Sequence, residues 1–207
     1  MFYMRERRQQ KALSFGMNNE DYLMIYLDFD STLNNLAHEW VKYINTRYQA
    51  NITVQHIKHW DWIEETFGKE ANDFWKNPDI YSNIKPLEGA IDFVTELREQ
   101  YNVSIITHSW PGTEEAKDDN IKRFFGDINV IHESEKHKVT RDGILIDDNP
   151  HTIVKHCESN YQYGIVFTNN NLNSWSSIEI IKDDINNVSK YIRFKRNYTE
   201  ILDFLKR

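Results

Sequence analysis

Short apolar runs recur along this chain, separated by stretches whose apolar residues fall at helical spacing. Leu23-Met24-Ile25-Tyr26-Leu27 is the first run, without the alternation of a half-exposed strand, and it predicts a strand buried on both faces. From Pro86 onward runs and helical stretches alternate regularly. Residues 103–107, 128–131, 143–146 and 164–167 read as strands. Between them, Pro86 starts a helix with apolar positions Ile91, Val94 and Leu97 that ends near Gln100. Thr113 is placed to cap a helix whose early acids, Glu114 and Glu115, suit its positive end and which stops at Gly126. Pro150 opens another. Such alternation predicts an α/β, Rossmann-like fold: a parallel sheet flanked by helices and wound right-handedly.

Two segments depart from that rhythm. Across residues 33–82, Trp40, Trp60, Trp62, Phe67, Phe74 and Trp75 fall among charged residues at mostly helical spacing, which predicts a small helical cap insertion after the first strand. At the other end, Tyr191, Phe194, Tyr198, Ile201, Leu202 and Leu205 share one stripe, which predicts a single amphipathic helix over 191–205. The expected organisation is an N-terminal extension (1–20), a core (21–32 and 83–188), the insertion (33–82) and a C-terminal amphipathic helix (189–207). The Asn-rich stretch 169–173 reads as a loop.

Composition narrows the function. With 207 residues, 40% of them hydrophobic and 14% aromatic, the chain can bury a real core, which excludes a wholly disordered protein. A formal net charge of −7 argues against a general nucleic-acid coat. The basic residues of the tail (Lys190, Arg193, Lys195, Arg196, Lys206 and Arg207) read first as the solvated face of a packed helix. Cys157 is the only cysteine, so there is no internal disulfide and no multi-cysteine metal site. It reads as a packed thiol in a helix. No apolar run approaches the length of a membrane span. Residues 1–16 carry Arg5, Arg7, Arg8 and Lys11 without the apolar run of a secretory signal, and Met17 is an alternative start. A cytoplasmic location is expected. His56 and His59 lack a third ligand nearby and read as ordinary histidines.

The chemistry sits at the ends of the predicted strands. The first run ends in Asp28-Phe29-Asp30-Ser31-Thr32, the second in Thr107, and the run from Gly143 in Asp147-Asp148. A buried unpaired carboxylate is costly, so carboxylates ending buried strands belong at the mouth of the sheet, where α/β proteins bind ligands. A few hard oxygen donors without cysteine favour Mg²⁺, with water and a substrate phosphate completing the shell.

These motifs resemble, in order, those of the haloacid dehalogenase superfamily of phosphatases. Asp28-Phe29-Asp30-Ser31-Thr32-Leu33 resembles motif one, Thr107 after Ser104-Ile105-Ile106 motif two, a lysine within 135–138 motif three, and Leu145-Ile146-Asp147-Asp148 motif four. Within the superfamily the chain is most similar to the 5′(3′)-deoxyribonucleotidases, through Lys85-Pro86-Leu87-Glu88-Gly89-Ala90, the stretch from Lys117 to Lys122-Arg123-Phe124-Phe125-Gly126, Ile144-Leu145-Ile146-Asp147-Asp148-Asn149-Pro150, and the late Trp175 with Ile178-Glu179-Ile180. The resemblance implies Asp28 as the nucleophile and Asp30 as the acid/base. It implies Mg²⁺ held by the side chains of Asp28 and Asp147 and by the backbone carbonyl of Asp30. Thr107 would bind the phosphoryl group, with His108 touching phosphate or filling the pocket wall, and Asp148 would support from behind. Lys136 and Lys138 compete for motif three, and Lys138 is the preferred choice. Ser31 stands where nucleotidases usually carry Gly. The implied partner is a phosphate monoester such as a nucleoside monophosphate, with a homodimer left open and no membrane or nucleic-acid role. Two alternatives stay open: a phosphatase acting on a nucleic-acid end or a small phosphorylated metabolite, and a phosphate-binding domain without turnover.

Overall fold

In the computed structural model, residues 23–59, 61–168 and 188–206 are described. The expectations for the N-terminal extension, Trp60, the Asn-rich loop, Trp175 and residues 178–180 lie outside them. Strand β1 (Met24–Asp28) leads into helix α1 (Leu36–Tyr48), a 3₁₀ turn (Val54–His56), α2 (Trp62–Phe67), a longer 3₁₀ segment (Lys69–Lys76) and α3 (Ile80–Asn83). The βα alternation follows: α4 (Ala90–Gln100), β2 (Asn102–Thr107), α5 (Glu114–Phe125), β3 (Asn129–His132), a 3₁₀ turn (Lys136–Lys138), β4 (Gly143–Asp147), α6 (Pro150–Asn160) and β5 (Gly164–Phe167). The chain closes with β6 (Ile192–Lys195) and α7 (Tyr198–Leu205).

All six strands form one parallel sheet in the order β3-β2-β1-β4-β5-β6. The apolar runs alternate between its faces. Ile25 and Leu27 of β1 join one core with Ile105, Ile144, Ile146, Phe93 and Leu97, while Tyr26 packs on the other face with Ile106, Leu145, Ile153 and Cys157. Each such side chain contributes about 1.5–3 kcal/mol of burial, and burial on both faces explains why the runs lack a polar phase. On α4 the buried stripe is Ala90, Phe93, Val94 and Leu97, and Ile91 faces out. Gly126 ends α5 with φ 73°, as expected of a glycine stop. Thr113 holds the N-cap position but does not cap: its hydroxyl donates to the Trp110 carbonyl instead. Cys157 is buried, and burial pushes its thiol up to about 12, which makes it a packing group.

The single C-terminal helix expected over 191–205 is not what forms. Ile192–Lys195 adds a sixth strand beside β5, with Phe167 opposite Lys195, and the helix begins only at Tyr198. Ile192 and Phe194 pack against the core while Arg193 and Lys195 alternate with them, a period of two that overlaps the helical stripe. Asn197 then caps α7, accepting from the Glu200 amide at 2.9 Å. Docked this way, Tyr198 stacks between Phe93 and Phe167 and donates its hydroxyl to the Thr32 carbonyl at 2.7 Å, which ties the C-terminus to the loop after β1.

Candidate active site

The sheet order brings the three acid- or hydroxyl-bearing strand ends side by side. Asp28 ends β1, Thr107 ends β2 on one flank and Asp147 ends β4 on the other. All three are buried. The chain leaves β1 through a tight loop in which Ser31 takes the left-handed conformation, φ 62°. A glycine suits that backbone better than an L-residue, which gives a physical reason for the glycine habit of the resembling nucleotidases. Asn34 secures the loop: its Oδ1 accepts from the amides of Ser31 and Leu36, and its Nδ2 donates to Asp30 Oδ1 at 3.2 Å. Thr32 ties the loop to the ends of β1 and β4. It donates to Asp28 Oδ2 at 3.0 Å and accepts from the Asp148 amide at 3.1 Å.

Lys136 lies between the two central strands. Its ammonium donates to Asp28 Oδ1 at 2.5 Å and to Asp147 Oδ2 at 2.7 Å, and the side chain is 8% exposed. The preference for Lys138 is corrected here: its ammonium is half exposed and pairs with Glu135 at the surface. The two lysines begin and end one 3₁₀ turn, and the turn aims only the first inward. The turn itself is anchored from below. Thr140 Oγ1 donates to the Lys136 carbonyl at 3.0 Å and lies 2.8 Å from His156 Nδ1, while His156 Nε2 donates to the Tyr163 carbonyl at 3.2 Å.

A second lysine, which the sequence motifs did not bring forward as a site residue, organises the other flank. Lys117 on α5 is 1% exposed; its ammonium meets Asp30 Oδ2 at 2.7 Å, Thr107 Oγ1 at 3.0 Å and the His108 carbonyl at 2.5 Å. It also sits 5.2 Å from the centre of the Tyr81 ring, a cation–π contact with α3. Its signal was positional. Lys117, Ile121 and Phe125 recur at four-residue spacing on the buried stripe of α5, where a solvated lysine does not belong.

Asp28, Asp147 and Asp148 each offer a carboxylate oxygen within 4.8 Å of one another, and all three are buried. Asp148 thus stands in the cluster with the other two, and Asp30 turns its carboxylate to Lys117. Burial pushes the Asp28 carboxyl up, Asp147 and Asp30 add to this, and Lys136 pulls it back. Burial also disfavours the Lys136 charge, but Asp147 and Asp28 outweigh it and hold the ammonium above its usual range. One ammonium among clustered carboxylates leaves excess negative charge, and the donors are hard oxygens. The residues fit a divalent cation.

These groups open into a cavity of about 350 Å³. Its sheet side carries Asp28, Asp30, Lys136, Asp147, Asp148, His108 and Asn149; its insertion side carries Trp40, Asp61, Glu64, Asn72 and Trp75. His108 is held toward its neutral form by burial and by Lys117 and Lys136. His56 and His59 stay apart from this cavity: His56 Nδ1 accepts from the Thr53 amide at 2.9 Å, and His59 pairs with Glu65 at 3.3 Å. No helix among the described residues is long and apolar enough to cross a membrane.

A parallel sheet of this order, with its central strand ending in an Asp-x-Asp loop and its neighbours in Thr107 and Asp147, defines a phosphatase of the haloacid dehalogenase superfamily. The chain belongs to the family "5' nucleotidase, deoxy (Pyrimidine), cytosolic type C protein", whose model matches residues 22–191. It is 35% identical over 130 residues to a 5'(3')-deoxyribonucleotidase of Clostridium acetobutylicum, covering 60% of this chain and 72% of that one. It is 28% identical over 137 residues to a 5'(3')-deoxyribonucleotidase of Bacillus subtilis, covering 63% of this chain and 78% of that one. In fold it is similar to a haloacid dehalogenase family hydrolase of Deinococcus radiodurans with bound phosphate and sodium: TM-score 0.58, 10% identity, 88% of this chain and 94% of that one.

Proposed function

We propose that this protein is a Mg²⁺-dependent 5′(3′)-deoxyribonucleotidase that hydrolyses deoxynucleoside monophosphates through an aspartyl-phosphate on Asp28. The observation that carries this reading is the paired geometry at the strand ends: Lys136 between Asp28 and Asp147, and Lys117 between Asp30 and Thr107. It supports the reading because a phosphoryl group needs a nucleophile, an acid/base and positive charge converging on one point.

In the first half-reaction Asp28 attacks phosphorus and the bond to the ester oxygen breaks. Asp30, which must carry a proton when substrate binds, gives it to the leaving alkoxide. In the second, Asp30 takes a proton from water as that water attacks the aspartyl-phosphate, which releases inorganic phosphate and restores Asp28. Thr107 donates to a phosphoryl oxygen. Lys117, in contact with both Asp30 and Thr107, would place positive charge beside the same oxygen, and Lys136 would neutralise charge on the opposite flank. Asp28, Asp147 and the Asp30 backbone carbonyl would hold Mg²⁺, with Asp148 beside them, and such an ion would supply positive charge that screens the phosphate from an anionic nucleophile. Residues 33–82 serve as a small cap over a core of 21–32 and 83–188. The names of the Clostridium and Bacillus relatives support the nucleotide as substrate. Such a substrate and a lone thiol accord with the cytoplasm.

The test is phosphate release from a panel of deoxy- and ribonucleoside 3′- and 5′-monophosphates beside p-nitrophenyl phosphate. The expected result is turnover of deoxynucleotides with Mg²⁺ and none with EDTA. Turnover of p-nitrophenyl phosphate alone contradicts the nucleotide assignment, and turnover of neither contradicts the enzyme.

A further inference from the structure

His156 is a fully buried titratable group that the proposed reaction does not use. On the same helix Ile153, Val154 and Cys157 fill buried places as packing groups. A polar ring in such a place costs free energy unless its nitrogens are hydrogen-bonded, and here both find partners. The Tyr163 carbonyl only accepts, so Nε2 carries the ring hydrogen, and in the neutral ring Nδ1 presents a lone pair. Two donors face that lone pair, the Thr140 hydroxyl at 2.8 Å and the Asn160 side-chain amide at 3.3 Å. Thr140 shares its one hydrogen between Nδ1 and the Lys136 carbonyl, and Asn160 Nδ2 also donates to the His137 carbonyl at 3.0 Å. The last turns of α6 therefore grip the backbone of the 3₁₀ turn at two successive residues.

The start of the same helix holds the carboxylate that Lys136 meets. The Asn149 amide donates to Asp147 Oδ1 at 2.8 Å, and Asn149 Oδ1 caps α6 by accepting from the His151 amide at 3.0 Å. Asp147 Oδ2 is left to receive the Lys136 ammonium. One helix thus sets both sides of the contact between Lys136 and Asp147.

We propose that His156 is a positioning residue for phosphate-ester hydrolysis: through Thr140 it fixes the 3₁₀ turn and so places the Lys136 ammonium between Asp28 and Asp147. The proposal deepens the phosphatase reading and rests on it. Lysine carries its charge on a long, flexible stem, so the position of the ammonium depends on the backbone from which the stem starts. Charge that stabilises a transition state must stand at one point, and a misplacement of about 1 Å can cost about a hundredfold.

The experiment measures kcat and KM for p-nitrophenyl phosphate in the full chain with Mg²⁺, for the natural protein, His156→Asn and His156→Gln, each corrected for its folded fraction by urea unfolding. Asn carries a polar atom on Cγ, where Nδ1 sits; Gln reaches only the place of Nε2. His156→Gln should lower kcat by about tenfold or more with KM within about twofold, and His156→Asn should keep kcat within about threefold of the natural protein. In a Lys136→Ala background His156→Gln should change kcat by less than about twofold, because the group it places is gone. Thr140→Val removes the hydroxyl at nearly constant shape and should reproduce the fall seen with His156→Gln, which keeps the test decisive even where the histidine variants do not fold. An unchanged kcat in His156→Gln or Thr140→Val, an equal fall in His156→Asn and His156→Gln, or a further tenfold fall in the Lys136→Ala background overturns the proposal and leaves the phosphatase reading standing. No hydrolysis by the natural protein overturns both.

Discussion

At the strand ends Asp28, Thr107, Lys117, Lys136 and Asp147 are all buried, and each is held by hydrogen bonds from at least one other element. On the insertion side Glu64, Asn72 and Trp75 are only half-buried, Asp61 is exposed, and the contacts are local to the insertion. The difference follows from what each wall does. Buried charges are tolerable only when paired and fully hydrogen-bonded, so the sheet side can hold only the one arrangement that satisfies its acids and lysines. A half-solvated wall pays little for an altered side chain and can vary with the ligand. On the proposed reading, the strand ends would fix the chemistry and the insertion would be left to adjust selectivity.

Substitutions can break this contrast. Lys136→Ala should lower kcat by about a thousandfold, since it removes the charge between Asp28 and Asp147, while Lys138→Ala should stay within about twofold; steady-state assays of the two variants check this directly. Lys117→Met keeps most of the stem and removes the ammonium. A loss of about a hundredfold in kcat is expected, with thermal unfolding measured alongside because Asp30 loses its partner. On the insertion side, Trp75→Ala should raise KM for deoxynucleotides about tenfold with kcat little changed, as expected for lost stacking. A kcat effect larger than the KM effect would move Trp75 into the chemistry and erase the contrast.

The support beneath Lys136 gives a pH prediction. Burial holds the His156 imidazole neutral down to about 4, against its ordinary 6.5. The unfolded chain therefore binds a proton that the folded chain refuses. Stability from this group is full above about pH 6.5 and falls as the pH drops toward 4, by about 3 kcal/mol. Urea unfolding at pH 7 and pH 4.5 measures it, and His156→Gln should flatten that part of the profile.

Asp28, Asp30, Asp147 and Asp148 were legible in the sequence because carboxylates closing apolar runs contradict burial unless a site explains them. Their neighbours on the sheet were legible because βα alternation leaves few topologies. Lys117 was hidden because a lysine on a helix reads as solvated until its stripe is compared with Ile121 and Phe125. Choosing Lys138 over Lys136 depended on spacing within an irregular turn, where residues two apart point in opposite directions. The strand Ile192–Lys195 was masked by residues that fit both periods, and only β5 alongside decides between them.

The central claim is that Asp28 takes the phosphoryl group and Asp30 helps remove it. Asp30→Asn, mixed with p-nitrophenyl phosphate and Mg²⁺ and quenched in acid, tests it most directly. The good leaving group needs no proton from Asp30, so the first step proceeds while the second, which needs the base, stalls. Peptide mass spectrometry should then find one phosphoryl group on Asp28. A phosphoryl group on another residue, or none while p-nitrophenol is still released, would contradict the account.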